Sequence, residues 1–153
     1  GVGVTPEPKS VPVLNAFNAS YTTRYGNNPG VSVMGQSYDA MYALALGLAA
    51  TTGEPPSGTA IAKGLRKLGG AGDEIQIQQS TVRTAFQTLA TGASIDAIGT
   101  FNNFKWDESG DLSGGAVEMW CISLGTPRNF YASSGLIMDV ATLTQSGAYT
   151  QCP

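Results

Sequence analysis

The side chains that could carry out chemistry in this chain include no histidine, so the usual general base and the commonest metal ligand are missing. The run Gly35-Gln36-Ser37-Tyr38-Asp39 imitates a nucleophile elbow, in which a serine is exposed on a sharp strand-to-helix turn. Its last position is Asp39 where the motif has glycine, and no histidine is present to activate Ser37. We therefore interpret Ser37 as a helix N-cap and predict that the chain is not an enzyme.

A second candidate is a calcium loop, because oxygen-bearing side chains occupy the register of such a loop. They are Asp107, Ser109, Asp111, Ser113 and Glu118. The place that needs a glycine for the sharp turn is held by Leu112, and the flanks are typical of strands, not helices. The pattern favours a tight, solvated hairpin turn over a metal site.

A phosphate-binding loop is also excluded by the position of the glycines. The run Gly69-Gly70-Ala71-Gly72 follows a predicted helix instead of opening one, so its amides would not gather at a helix N-terminus. We interpret it as a helix terminator and expect no cofactor.

The two cysteines, Cys121 and Cys152, are far apart and fit no metal-ligand spacing. They could form one disulfide, which would suit an oxidising compartment, or remain two unpaired thiols. The sequence leaves both interpretations open.

Composition and charge restrict the class of protein. A chain of 153 residues is the right size for one domain with a real core. A net charge of −3 and few, scattered basic residues argue against a nucleic-acid partner. No apolar run reaches membrane length, so we predict a soluble chain that does not span a membrane. The start on GVGV without a methionine suggests a cleaved precursor or the tail piece of a longer protein.

The elements that must position these residues are organised around Val31 to Gly53. This stretch predicts a short buried strand that runs straight into a long helix, with Ser37 as N-cap, Asp39 in the first turn and Gly53 as the stop. The helix is apolar almost all round. We therefore expect it to lie between a sheet and another element, at the centre of the core.

The rest of the chain predicts further helices followed by a β-rich end. Hydrophobic periodicity and caps indicate a strand over Gly1–Val4 and a helix over Val11–Tyr25 that is ended by Gly26. A second helix is capped by Ser57 and carries the apolar stripe Ile61, Leu65 and Leu68. A strand over Glu74–Gln78 follows, and then a helix that is capped by Ser80 and points Val82, Phe86 and Leu89 inward. Strands are predicted over Ile95–Gly99, Phe104–Trp106 and Ala116–Ile122, and Leu136–Leu143 has strand or helix character. We expect the aromatic residues Phe101, Phe104, Trp106 and Trp120 to be core.

The order of these features resembles a known family. The segments are GVGVTPEP, FNASYTTRYGNNPG, SYDAMYALALGLA and IDAIGTFNNFKWDESGDLSGGAVEMWCI. Together, from Gly1 to about Ile122, they are similar to the C-terminal portion of a type I periplasmic binding protein, in particular the branched-chain amino-acid type of ABC transporter substrate-binding subunit. The order and spacing of the segments carry the resemblance, since no single motif is diagnostic.

The resemblance implies an α/β fold, a partial Rossmann-like lobe with a β-rich C-terminal part. Residues 1–106 would mainly complete lobe 1, and residues 107–153 would form the hinge return and the C-terminal tail. The chain would then be a single C-terminal fragment of a two-lobed solute-binding protein, made with a signal peptide and located in the periplasm or otherwise outside the cytoplasm.

The implied function is the binding of an amino acid or similar small polar solute between two lobes, for delivery to an ABC permease. Its partners would be that permease and the missing N-terminal part of the same protein. The alternative is a ligand-sensing domain of a receptor or regulator with the same fold.

In this family the loop ahead of the YDA helix faces the ligand cleft. The matching positions are Val33, Met34, Gln36, Ser37, Tyr38 and Asp39. A helix N-terminus presents free N–H groups to a ligand carboxylate, so these residues are the predicted ligand-binding site.

Overall fold

The computed structural model of the chain describes residues 1–27, 33–70, 72–121 and 132–150. It is mixed α/β, and its elements in chain order are β1 (Val2–Thr5), α1 (Val11–Tyr25), α2 (Val33–Ala49), α3 (Gly58–Leu65), β2 (Glu74–Gln76), α4 (Val82–Ala90), β3 (Asp96–Ile98), β4 (Ala116–Cys121), β5 (Ala132–Asp139) and β6 (Thr144–Ser146). The chain divides into two compact units, Pro6–Ser113 and Gly1–Thr5 with Gly114–Pro153.

The larger unit, Pro6–Ser113, has its core around one βαβ segment. Strands β2 and β3 are parallel neighbours, and α4 connects them. The core side chains come from α2, α4 and the segments around the two strands, and the largest that are fully buried are Leu46, Leu68, Ile77, Leu89 and Ile95. The apolar residues that recur at helical spacing in the sequence therefore pack together in this core.

Helix α2 starts earlier than predicted. It begins at Val33, so Ser37 lies inside the helix and Asp39 lies beyond its first turn. The predictions of a Ser37 N-cap and of a strand over Val33 and Met34 are therefore wrong, while Val31 and Ser32 lie outside the described residues. Gly35 has low helix propensity. A Cβ atom at this position would lie 2.6 Å from Oγ1 of Thr100, so glycine is kept here for close packing, and the helix extends back through this segment because of its packing and not because of its local propensity.

The far side of α2 is not covered. Leu46 is fully buried, but Met41, Leu44 and Leu48 are 70%, 56% and 43% exposed. Among the described residues, then, the helix is covered on one side only, and the expectation of a layer on both sides is wrong. The apolar composition of α2 indicates that the helix is buried, but it does not indicate how much of the helix circumference is covered by other elements.

Helices α2 and α3 approach each other to backbone contact at two glycines. A Cβ atom added at Gly64 would lie 2.0 Å from the carbonyl oxygen of Gly47. No side chain fits between the helices at this point, so glycine is required there.

Of three further helix ends, two agree with the sequence prediction and one differs. Helix α1 ends at Gly26, which has φ 78°, as predicted. Ser57 caps α3 by accepting a 3.1 Å hydrogen bond from the backbone N–H of Ala60, which confirms that prediction. The N-cap of α4 is Thr81 and not Ser80, and its hydroxyl donates to the carbonyl oxygens of Gln76 and Gln78. The turn after β2 therefore ends one residue later than the Ser80 pattern indicated.

The smaller unit is built on an antiparallel sheet in the order β1-β4-β5-β6. Val4 pairs with Val117, which pairs with Met138, and a register shift lies between Glu118 and Trp120. The strands predicted over Gly1–Val4 and Ala116–Ile122 are confirmed as far as the described residues extend, to Cys121.

Two further sequence predictions concern the C-terminal third. Phe104–Trp106 is not a strand, because Trp106 only makes an isolated bridge to Leu112, although Phe104 is buried as expected. The cysteine Cys121 is disulfide-bonded. Since Cys152 lies outside the described residues, the pairing of these two cysteines stays a prediction.

None of the helices in the described ranges has the length and apolar content required to cross a lipid bilayer.

Candidate functional site

An open groove of about 680 Å³ lies in the unit Pro6–Ser113, between α1, the first half of α2 and the segment that joins β2 to α4. Its lining residues are Ala16, Phe17, Ser20, Tyr38, Tyr42, Gln78, Gln79 and Ser80. This volume is typical of sites for small organic ligands, which are mostly apolar with a few polar groups. The groove is therefore the candidate functional site.

Three aromatic rings form the apolar wall of the groove. The ring centroids of Phe17 and Tyr38 are 5.1 Å apart, and those of Tyr38 and Tyr42 are 4.7 Å apart. Tyr38 and Tyr42 are one helical turn apart and therefore share a face of α2, and that face meets Phe17 of α1. The contacts between the two helices thus hold the rings in place.

Tyr38 is fixed at both ends of its side chain. Its ring packs between Phe17 and Tyr42, and its hydroxyl donates a 3.1 Å hydrogen bond to the carbonyl oxygen of Ile77. Burial, and after it the neighbouring Tyr42, raises the pKa of Tyr38 well above the usual value for tyrosine. The phenol is therefore neutral at any physiological pH and acts as a rigid wall.

The polar part of the groove consists of amide and hydroxyl groups. Ser20, Gln79 and Ser80 are exposed, so these groups are open to a ligand. Gln78 is half-buried, and its Nε2 donates to Oε1 of Gln76 at 3.4 Å. Among the described residues that line the groove, none is acidic or basic.

Six residues at the start of α2 are the predicted ligand contacts. Among the five whose side chains the structure describes, Tyr38 is the one that lines the groove. Met34 and Ser37 are exposed and Gln36 is half-buried, while the side chain of Val33 lies outside the described residues. Whether these residues contact a ligand stays a prediction.

Asp39, the last of the six, is bound to the loop that follows β3. Both of its carboxylate oxygens accept from the backbone N–H of Thr100 at 2.8 Å, and Oδ2 also accepts from Oγ1 of Thr100 at 2.8 Å. Burial raises the pKa of Asp39 to about 6, although hydrogen bonds from Thr100 and Phe101 act in the opposite direction. The arrangement fastens this loop to α2.

The segment from Asp107 to Ser113, whose residues match the register of a calcium loop, is a hairpin turn. Oδ1 of Asp107 accepts from the backbone N–H of Asp111 at 3.0 Å, and Trp106 bridges to Leu112. Asp107 to Ser113 are all exposed, and Glu118 accepts a 2.6 Å hydrogen bond from Oγ of Ser133. The carboxylates of Asp107 and Glu118 therefore each accept a hydrogen bond from within the chain.

Most groove residues were missed by sequence reasoning. Phe17 lies within the predicted helix Val11–Tyr25 but is not among the predicted site residues, and Ser80 is predicted only as a cap. The useful signal was the aromatic spacing, since Phe17, Tyr21 and Tyr25 on α1 and Tyr38 and Tyr42 on α2 each recur at four residues. Half-exposed aromatic rings in that spacing indicate a surface groove as readily as a core.

Comparison with known proteins found no matching family model, no matching curated protein and no matching solved structure.

Proposed function

We propose that this chain is the solute-binding component of an ABC transporter outside the cytoplasm, built on a partial Rossmann-like lobe of the type I periplasmic binding protein kind. The observation that carries the proposal is the groove, which is of ligand size and includes Tyr38 of the YDA helix. That helix is the element that contributes to the ligand cleft in the resembled family.

The connection of β2, α4 and β3 supports this fold. Two parallel strands joined through a helix are the repeating unit of Rossmann-like lobes. The carboxyl ends of such strands are where α/β proteins bind ligands, and the groove residues Gln78 and Gln79 follow the end of β2.

The form of the groove favours binding over catalysis. Its wall is aromatic, its polar groups are amides and hydroxyls, and no pair of groups on it could act as nucleophile and base. A small polar solute held there would be released unchanged, which is the requirement for a delivery protein.

The test is a thermal-shift screen of the full-length gene product against the twenty amino acids and a set of small neutral solutes. A ligand that binds only the native state raises stability by RT ln(1 + [L]/Kd), so a hit at saturating concentration raises the melting temperature. A hit that is lost in Tyr42→Leu and kept in Tyr149→Leu, at an exposed tyrosine that is not among the groove residues, supports the proposal. If no solute of any class stabilises the protein, the proposal is wrong.

A further inference from the structure

The aromatic wall of the groove continues beyond it along α1. Five rings follow one another, each within 6 Å of the next, in the order Tyr25, Tyr21, Phe17, Tyr38 and Tyr42, with centroid separations of 4.6, 5.9, 5.1 and 4.7 Å. Four of these rings are half-buried and Tyr25 is 60% exposed. We call this row of five rings the aromatic track.

The track is longer than one compact solute needs. A single small molecule could contact Phe17, Tyr38 and Tyr42 within the groove, but Tyr21 and Tyr25 lie outside its lining. Adjacent rings are already in contact at these separations and are tilted by 49° to 60°, so no ligand fits between two neighbours and a ligand must lie along the outer side of the row. The geometry instead suits a linear chain of rings, each with an apolar face laid on the track.

The polar groups beside the track select for an uncharged ligand. The exposed groups are the hydroxyls of Ser20 and Ser80 and the amide of Gln79, and each can both donate and accept a hydrogen bond. Sugar hydroxyls also donate and accept. A zwitterionic amino acid would bring an ammonium and a carboxylate into a lining without counter-charges, which costs free energy.

Three charged side chains of the same unit have contacts of their own. Arg24 lies over the ring of Tyr25, 5.7 Å from its centroid, at the end of the track remote from the groove. Lys9 and Glu74 form an ion pair with each other, Nζ to Oε2 at 2.6 Å.

We propose that the aromatic track and the groove bind a linear, neutral oligosaccharide, with sugar rings on Phe17, Tyr38 and Tyr42 and hydroxyls on Ser20, Gln79 and Ser80. This inference rests on the proposed function, because it names the class of solute. It also predicts that affinity increases with the number of sugar units, since Tyr21 and Tyr25 extend the contact surface.

The experiment is isothermal titration calorimetry of the full-length gene product with cellobiose, cellotetraose, maltose and maltotetraose, with leucine, glutamine and a proline-rich decapeptide as competing classes. We expect a tetrasaccharide to bind at least tenfold more tightly than its disaccharide. Gln79→Ala should raise the Kd of both lengths about tenfold, which is the effect of losing about 1.4 kcal/mol of contact. Gln87→Ala, an exposed glutamine on α4 outside the groove lining, should leave both unchanged.

The variant Tyr25→Ala tests the contribution of the aromatic track independently of the groove. It should weaken the tetrasaccharide several-fold and leave the disaccharide unchanged, because only the longer ligand reaches that ring. Circular dichroism and the melting temperature establish that each variant is folded before its Kd is interpreted.

The outcomes distinguish this inference from the proposed function. Binding of leucine or glutamine with no saccharide binding overturns the inference and leaves the proposed function standing. Binding of the proline-rich peptide alone overturns the inference in favour of a protein ligand. No binding by any probe overturns the inference, and the thermal-shift screen then decides the proposed function. Saccharide binding that persists unchanged in Gln79→Ala places the ligand outside the groove and overturns the inference.

Discussion

Asp39 of α2 holds Thr100, in the loop after β3, through hydrogen bonds from both the backbone N–H and the side-chain hydroxyl of that threonine, each 2.8 Å long. Thr100 is fully buried, and Gly99 before it leaves the space that the carboxylate fills, since a Cβ there would lie 2.7 Å from Oδ2 of Asp39. A residue placed by sequence reasoning at a ligand site therefore also has a structural role, which predicts how stability depends on pH.

The stability of the protein should fall as the pH rises from about 4 to about 6. Asp39 holds its proton up to a pKa of about 6 in the folded protein, whereas an aspartate in the unfolded chain releases it near pH 3.9. The folded state therefore binds more protons in this window, so raising the pH favours unfolding. The group contributes a change of roughly 2 to 3 kcal/mol across the window, at 1.36 kcal/mol per pKa unit.

Urea unfolding at a series of pH values measures this change. Asp39→Asn removes the titration and should flatten the curve between pH 4 and 6 relative to the parent protein. Thr100→Val removes one hydrogen bond to the charged form and should raise the pKa of Asp39 further, as measured by carboxyl ¹³C shifts. A parent protein that gains stability from pH 4 to 6, beyond the gain of Asp39→Asn, contradicts the assignment.

Ser57→Ala should lower the free energy of unfolding by about 1 kcal/mol, because it removes the side-chain cap of the Ala60 N–H. The matched control is Ser80→Ala, the serine that precedes the true N-cap Thr81 of α4. Chemical denaturation should show no change for the control. Equal losses in the two variants would mean that Ser80 also caps a helix.

Leu46→Ala should destabilise the protein by about 2 to 5 kcal/mol, since this side chain is fully buried in the core and its loss leaves a cavity. Leu44→Ala, on the same helix, removes a side chain that is 56% exposed and should stay within about 0.5 kcal/mol of the parent. Urea midpoints measure both. A comparable loss for Leu44→Ala would show that the exposed side of α2 is covered in solution.

Gly64→Ala should cost about 1 to 3 kcal/mol, because the new methyl group would lie 2.0 Å from the carbonyl oxygen of Gly47 unless the helices move apart. Gly58→Ala, in the first turn of α3 with open space around it, serves as the control and should be neutral or slightly stabilising. The measurement is the difference in melting temperature between Gly64→Ala and Gly58→Ala.

Local sequence patterns predicted the positions of the helices better than they predicted which elements pack around the helices. Val11–Tyr25 and the Ser57 cap could be read directly, because a helical period and a cap are properties of adjacent residues. The start of α2 could not, since Ser37 resembles a cap and Gly35 before it has low helix propensity. The predicted strand at Phe104–Trp106 failed because its apolar residues fill the core from a loop.

The candidate site shows the same limit. Tyr38 was predicted to be a site residue, yet Gln78 and Gln79 reach the groove only because the chain turns between β2 and α4. Their position depends on contacts distant in sequence, such as the hydrogen bond from Tyr38 to Ile77. Single-sequence reasoning has no access to such contacts.

The contact between Gly47 and Gly64 also bears on motion. Two helices that meet through backbone atoms cannot slide or tilt independently without separating, so α2 and α3 should open as one cooperative unit. Their amide protons would then exchange with solvent at a common, slow rate. Since α2 also carries Tyr38 and Tyr42, one wall of the groove would belong to this slowly exchanging unit, while Gln79 and Ser80 lie on the turn between β2 and α4.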